Sequence, residues 1–126
     1  MINFQIDQSR NLFVIRYLGH IQTNEVKDGL EEIRAAIPDL QPGFRLLGDL
    51  SELESMEVGC APFIEQAMDL FNAKGVALIV RVIPDPQRDI GMNIMSIFHY
   101  EKAVRIINCQ TLPQAKEALR ADLAES

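Results

Sequence analysis

The sequence is poor in the residues that build metal, disulfide and nucleic-acid sites. Its two cysteines, Cys60 and Cys109, lie too far apart for a disulfide framework and lack the spacing of a zinc site. Its two histidines, His20 and His99, match no metal-ligand spacing, and no run of basic residues occurs. We therefore expect no metal, no cofactor and no nucleic-acid partner.

Membrane-spanning and secretory segments are also missing. The longest apolar run, Val76 to Val80, is far too short to cross a bilayer. The N-terminal stretch lacks the basic start, apolar centre and cleavage site of a secretory signal. Two thiols without a disulfide pattern fit a reducing compartment best, so we expect a cytoplasmic protein without an integral membrane segment.

What is present is the composition of one ordinary globular domain. The chain has 126 residues, of which 48% are hydrophobic and 24% are charged. We expect a single domain over residues 1–126. Eighteen acidic residues stand against 12 basic ones, which gives a formal net charge of −6. This acidity suits either a partner with a basic surface or solubility alone.

The spacing of apolar residues predicts an α/β fold with the element order ββαβαβαβα. The predicted strands cover residues 2–6, 12–18, 44–50, 76–83 and 104–108. The predicted helices are capped at their starts by Thr23, Asp89 and Thr111, and the second helix opens at Gly59–Pro62 and ends at Gly75. The first two strands form a hairpin, and the nearly all-apolar fourth strand is typical of the middle of a parallel sheet. We predict a mixed β-sheet with an N-terminal hairpin and a parallel centre, flanked by helices.

Two features near the second helix carry candidate chemistry. Asp49 at the end of the third predicted strand and Glu52, Glu54 and Glu57 after it form either a solvated acidic loop, which we favour, or a cation site. Cys60 stands at a helix start, whose dipole stabilises a thiolate, but the nearby glutamates oppose this. It is therefore either a nucleophile or a small side chain packed at the helix entrance, and we favour the second. No G-x-S-x-G motif or phosphate-binding glycine loop is present.

The predicted helix over residues 89–100 has an unusual outer face. Its isoleucines fall within one arc that should face the core, whereas Met92, Met95 and His99 fall on the opposite side. Methionines outside a core are common at adaptable binding surfaces. Either this face contacts a partner, a second copy or a ligand, or another part of the chain covers it.

A degenerate pattern follows the third predicted strand: Asp49, Ser51, Leu53, Met56 and, loosely, Glu57. An Ala-Lys-Gly turn ending at Gly75 precedes the apolar strand, and a strand and a helix close the chain. Together with the element order, this pattern resembles the STAS domain of bacterial anti-sigma factor antagonists and their SpoIIAA-like relatives. The similarity in element order covers nearly the whole chain.

The resemblance implies a STAS-like α/β fold and a regulatory or protein-interaction module that is not an enzyme. In the phospho-regulated members a kinase modifies a serine at the helix entrance. Gly59 stands at that position here, and Ser55 is a poor substitute, so the resemblance does not extend to the phosphorylation switch.

Two contact regions are predicted for a protein partner or a homodimer. One is the stretch at the helix entrance, with Ser55, Met56, Glu57, Gly59 and Cys60, and the other is the outer face with Met92, Met95 and His99. The SpoIIAA-like group also resembles lipid-carrying CRAL-TRIO domains in its layout. The alternative function is therefore binding or carriage of a small apolar ligand, with the predicted helix over 89–100 as lid or wall.

Overall fold

Five strands and three α-helices make up the part of the chain that this computed structural model describes, residues 1–83 and 105–125. The strands are β1 (Ile2–Asp7), β2 (Leu12–Ile21), β3 (Arg45–Met56), β4 (Leu78–Val82) and β5 (Arg105–Cys109), and the helices are α1 (Thr23–Ala36), α2 (Ala61–Lys74) and α3 (Leu112–Glu125). The predicted helix over 89–100, with Met92, Met95 and His99, lies outside the described residues. None of the described helices is long and apolar enough to cross a membrane.

The five strands form one mixed sheet in the order β1-β2-β3-β4-β5. Strand β1 is antiparallel to β2, and all the other neighbouring strands are parallel. Every residue of β4 is buried between β3 and β5, as its apolar sequence predicted. The predicted hairpin and parallel centre are therefore confirmed.

Helices cover both faces of the sheet. Because side chains alternate along a strand, Ile79 of β4 points to one face and its neighbours Leu78 and Val80 point to the other. The first face packs against α1 and α2 through buried side chains, which include Val26, Ile33, Ile64, Met68 and Phe71. The second face packs against Ala115 and Leu119 of α3. The sheet is therefore the middle layer of three.

Strands β2 and β3 both run further than the sequence predicted. The sequence placed the end of β2 at residue 18 and the end of β3 at residue 50, but residues 18–21 pair with residues 52–56 in parallel. The prediction that Glu52 and Glu54 belong to a solvated loop is wrong, because they lie on β3. Pairing between segments distant in sequence supplies hydrogen bonds that no local propensity reveals.

The helix ends follow simple chemical rules, with one correction. Helix α1 is capped by Gln22 and not by Thr23, and the Gln22 N–H donates to Glu25 Oε2 at 2.8 Å. Helix α2 ends at Gly75, whose φ of 93° lies in the left-handed region that favours glycine. The predicted end of this helix at Gly75 is confirmed.

Candidate functional site

The candidate site is the connection from β3 to α2, residues 55–61, which we call the entrance segment. Ser55 and Met56 are the last residues of β3 and pair with His20 and Ile21 of β2. Val58–Cys60 then form one 3-10 turn before α2 begins. The segment lies at the carboxyl ends of two parallel strands, which is where open α/β sheets commonly bind their ligands.

Glu57 ties the entrance segment to the start of α1. Its backbone N–H donates to the Ile21 carbonyl oxygen at 3.0 Å. Its carboxylate Oε1 accepts a hydrogen bond from the Thr23 backbone N–H at 2.6 Å. A negative charge at this position satisfies an unpaired N–H of the helix and complements the positive end of its dipole. Glu57 therefore helps to hold the fold, whatever else it contacts.

Gly59 allows the entrance segment to approach α1 closely. A Cβ atom at this position would lie 2.6 Å from Thr23 Oγ1 and 3.3 Å from Thr23 Cγ2. The first distance is shorter than real side chains tolerate, so any side chain at position 59 requires Thr23 to move. The structure thus gives a packing reason for the glycine at the position where the sequence pattern expects a serine.

Cys60 lies beneath the surface of the entrance segment. Its side chain is fully buried, with Sγ 3.9 Å from the Ile21 carbonyl oxygen. Burial raises the pKa of the thiol, and the negative charge of Glu57 raises it further, although a hydrogen bond with Thr23 opposes both. A buried, protonated thiol is a poor nucleophile. The geometry supports the interpretation of Cys60 as a small packed side chain.

Ser55 and His20 form an exposed pair beside the entrance segment. Ser55 Oγ lies 2.5 Å from His20 Nδ1 across the paired ends of β3 and β2. His20 lies beyond the end at residue 18 that the sequence predicts for β2, but it belongs to β2. Met56 is half-buried and packs against the core, so it presents only part of its side chain to the outside.

Val58 is the exposed residue of the entrance segment that the sequence interpretation did not single out. It is 91% exposed, and it stands between Glu57 and Gly59 at the tip of the 3-10 turn. An exposed β-branched side chain buries nothing in the fold and costs free energy in water. The available signal was a β-branched apolar residue between a glutamate and a glycine in the turn that joins a strand to a helix.

The acidic residues of β3 are partly neutralised within the chain. Asp49 is buried, and its carboxylate accepts hydrogen bonds from the Ser51 N–H at 3.0 Å and the Ser51 hydroxyl at 2.6 Å. Arg16 of β2 lies 3.4 Å from Asp49 and 3.1 Å from Glu52. Within residues 1–83 and 105–125, no three His, Cys, Asp or Glu side chains are grouped so that they could hold a metal ion.

A small apolar cavity lies between α1, α2 and the sheet. Its volume is about 60 Å³, and its lining includes Phe4, Leu30 and Met68, with Tyr17 and Arg81 as polar members. An engineered protein cavity that admits benzene measures about 150 Å³. The described part of this face therefore has little room for the apolar ligand of the alternative function.

The architecture matches solved structures of a single fold. A phosphorylated SpoIIAA, described as a Bacillus cell fate determinant, aligns with a TM-score of 0.67 and 15% identity over 95% of this chain and 100% of that one. An uncharacterised DUF3478-family protein from Shewanella loihica with a SpoIIAA-like fold has a TM-score of 0.68 and 12% identity, over 94% of this chain and 92% of that one. An anti-sigma factor antagonist from Mycobacterium paratuberculosis has a TM-score of 0.59 and 17% identity over 95% of both chains.

These matches confirm that the chain has a SpoIIAA-like, STAS-type fold, as the sequence pattern predicted. At such low identities they show the fold alone. No protein-family model matches the sequence. No match was found among curated proteins either.

Proposed function

We propose that this chain is a non-enzymatic regulatory module that acts by binding another protein through the entrance segment. The observation that carries the proposal is Val58, an apolar side chain held almost fully in water at the carboxyl ends of β2 and β3. Apolar anchors that pack into a partner's pocket supply much of the binding free energy of protein interfaces. The shared fold with an anti-sigma factor antagonist supports the same function.

The charges around Val58 define the chemistry of the partner. Glu57 precedes it directly and Glu54 comes four residues before it, both glutamates are exposed, and the whole chain carries a net charge of −6. A complementary surface has an apolar pocket with a basic rim, because opposite potentials across an interface favour encounter and fix orientation. Of the predicted contact residues of this segment, Ser55 and Glu57 are exposed and can contact a partner directly. Cys60 is buried beneath the turn and supports it.

The proposed module works without a phosphorylation switch at the helix entrance. Gly59 has no hydroxyl group, and the contact with Thr23 leaves no room for one. The hydroxyl of Ser55 is held by His20 on the neighbouring strand. Binding is then not controlled by a phosphate added at position 59.

The experiment that tests this function is site-specific photo-crosslinking in the cells that make the protein. A photoreactive amino acid at position 58 should give one crosslinked product of defined mass, identified by mass spectrometry. The matched control carries the same amino acid at Ala35, which is exposed on α1. Equal crosslinking at both positions, or none at position 58, would contradict the proposal.

The proposal includes a second surface, formed by Met92, Met95 and His99, through which two copies of the chain associate. It is supported by the sequence pattern, since these residues lie outside the described part of the chain. Native mass spectrometry should show a dimer for the unchanged protein and a monomer for the Met92→Gln/Met95→Gln variant. An unchanged mass in the variant would rule this surface out as the dimer contact.

A further inference from the structure

The sheet face opposite α1 and α2 contains an open groove. Helix α3 packs mainly on β4 and β5, and the groove of about 580 Å³ runs between α3 and the strands β1, β2 and β3. Leu12, Val14 and Leu47 lie along its floor, and Leu112 and Leu119 of α3 form one wall. Its volume falls within the range of roughly 300–1,000 Å³ that is typical of small-molecule sites.

The rim of this groove is basic although the chain as a whole is acidic. Arg10 and Arg16 lie on the strand side, and Lys116 and Arg120 lie on the helix side, four residues apart. Residues four apart share one face of a helix, so both α3 cations line the same wall. A third of the 12 basic residues of the chain therefore border one groove, in a molecule with a net charge of −6.

The carboxylates of the groove are already engaged. The Asp7 carboxylate accepts a hydrogen bond from the Ser9 hydroxyl at 2.7 Å, and its pKa is lowered by this bond and, to a smaller extent, by the charge of Arg10. Asp49 is occupied by Ser51 and Arg16. These two carboxylates leave the groove with an excess of positive charge.

Two of the four cations form no ion pair within the described residues, although the charge of Arg10 acts on Asp7. Arg16 is shared by Asp49 and Glu52, and Arg120 lies 3.4 Å from Glu117. No carboxylate of the described residues forms an ion pair with Arg10 or Lys116, which stand on opposite sides of the groove. Both cations border the groove whose floor carries the leucines, so an acidic group at the rim has a cation without an ion-pair partner on either side.

We propose that this groove binds an amphipathic organic anion, with an apolar chain or ring on the floor and a carboxylate or phosphate at Arg10 and Lys116. The leucine and valine side chains supply the apolar contact, and the two cations supply charge-assisted hydrogen bonds to the acidic group. A neutral apolar molecule would form no charge-assisted hydrogen bonds with the basic rim. This site lies on the other side of the sheet from the small apolar cavity and does not depend on the entrance segment.

The test is a titration of the full chain, with ¹⁵N and methyl labels, with decanoate and with decyl phosphate. Both anions should saturate one site and shift the signals of Val14, Leu47 and Leu119. The Arg10→Gln/Lys116→Gln variant should bind about tenfold more weakly, because two charge-assisted contacts are lost. The control variant Lys27→Gln/Arg34→Gln removes the same charge from exposed positions on α1 and should bind as the unchanged protein does.

Four outcomes would overturn the proposal. They are the absence of saturable binding, equal weakening in both double variants, equal binding of neutral decyl glucoside, and shifts confined to the side of α1 and α2. Shifts in the groove signals on addition of an acidic peptide, with no shifts from either anion, would also overturn the proposal. That result would indicate a protein ligand. None of these results affects the crosslink at position 58, so failure of this inference is distinguishable from failure of the proposed function.

Discussion

At the scale of single residues, Gly59 illustrates how a missing side chain can determine packing. Position 59 can lie this close to Thr23 in the first turn of α1 because it has no Cβ atom. We expect Gly59→Ala to lower the free energy of unfolding by about 1–3 kcal/mol, since the added methyl overlaps with Thr23. Urea denaturation followed by circular dichroism measures this loss.

The control for this prediction removes the steric overlap by shortening Thr23. Thr23→Ala removes the two atoms nearest to the added methyl and leaves the Thr23 Cβ at 3.5 Å, an ordinary contact distance. The double variant should therefore lose less stability than the sum of the two single variants. Strictly additive losses would show that the cost at position 59 has another origin.

Residue type and chain position predicted the role of Cys60 but not the exposure of Val58. A small side chain at the start of a helix packs easily against its neighbours, and Cys60 is completely buried in the structure. The exposure of Val58 depends on where the 3-10 turn points, which is set by contacts of Glu57 and Gly59 with α1. Those contacts join residues more than 30 positions apart, and no local pattern contains them.

At the scale of secondary-structure elements, the largest differences from the sequence prediction are the added lengths of β2 and β3. The core-facing half of each strand was predicted from its apolar residues, because burial produces a clear alternation. The outer halves carry Gly19, Glu52 and Glu54, and glycine and glutamate are depleted in strands. They are strands because each pairs with the other, which is a tertiary property.

The start of α1 offers a prediction at the same scale. Glu57 supplies a carboxylate to the Thr23 N–H from outside the helix. We expect Glu57→Ala to cost about 1 kcal/mol of stability, because the N–H loses its partner and the helix dipole loses a favourable charge. Glu57→Gln keeps an acceptor and should cost less.

A matched comparison for this prediction is Glu54→Ala, measured by the same denaturation experiment. Glu54 is exposed on β3, and among the described residues it forms no hydrogen bond or ion pair. Its removal should change stability by no more than about 0.5 kcal/mol. Equal losses at positions 54 and 57 would show that the carboxylate of Glu57 does not stabilise α1.

At the scale of the whole molecule, stability should fall in alkaline solution through Tyr17. Burial raises the pKa of this phenol from 10.0 to about 12, against the opposing charge of Arg81. Between these two values the unfolded chain has lost a proton that the folded protein retains, so the free energy of unfolding falls as pH rises. The slope from this group is at most about 1.4 kcal/mol per pH unit.

Urea denaturation at a series of alkaline pH values measures this effect. Other groups also titrate there, so the informative quantity is the difference between the unchanged protein and Tyr17→Phe, which lacks the ionisable hydroxyl. The difference should change steadily as the pH passes above 10, the ordinary pKa of the phenol. Parallel stability curves would contradict the assignment.

The overall architecture was predictable because its signals are strong and local. Alternation over residues 2–6 marks the hairpin, and the apolar stretch around β4 marks the centre of a parallel sheet. The groove beside α3 was not predictable, since Arg10 and Lys116 come together only when the sheet and the helix are assembled. Sequence patterns reveal which face of an element is buried, but not what two exposed faces enclose.

The order of the strands in the sheet has a consequence for how the chain folds during synthesis. Each of the described strands after β1 pairs with the described strand before it, so its partner has already been synthesised when it leaves the ribosome. Among the described strands, none is left with an unpaired edge until a strand much later in the sequence has been synthesised. Growth from one end in this way limits the time during which sheet edges can pair with other chains.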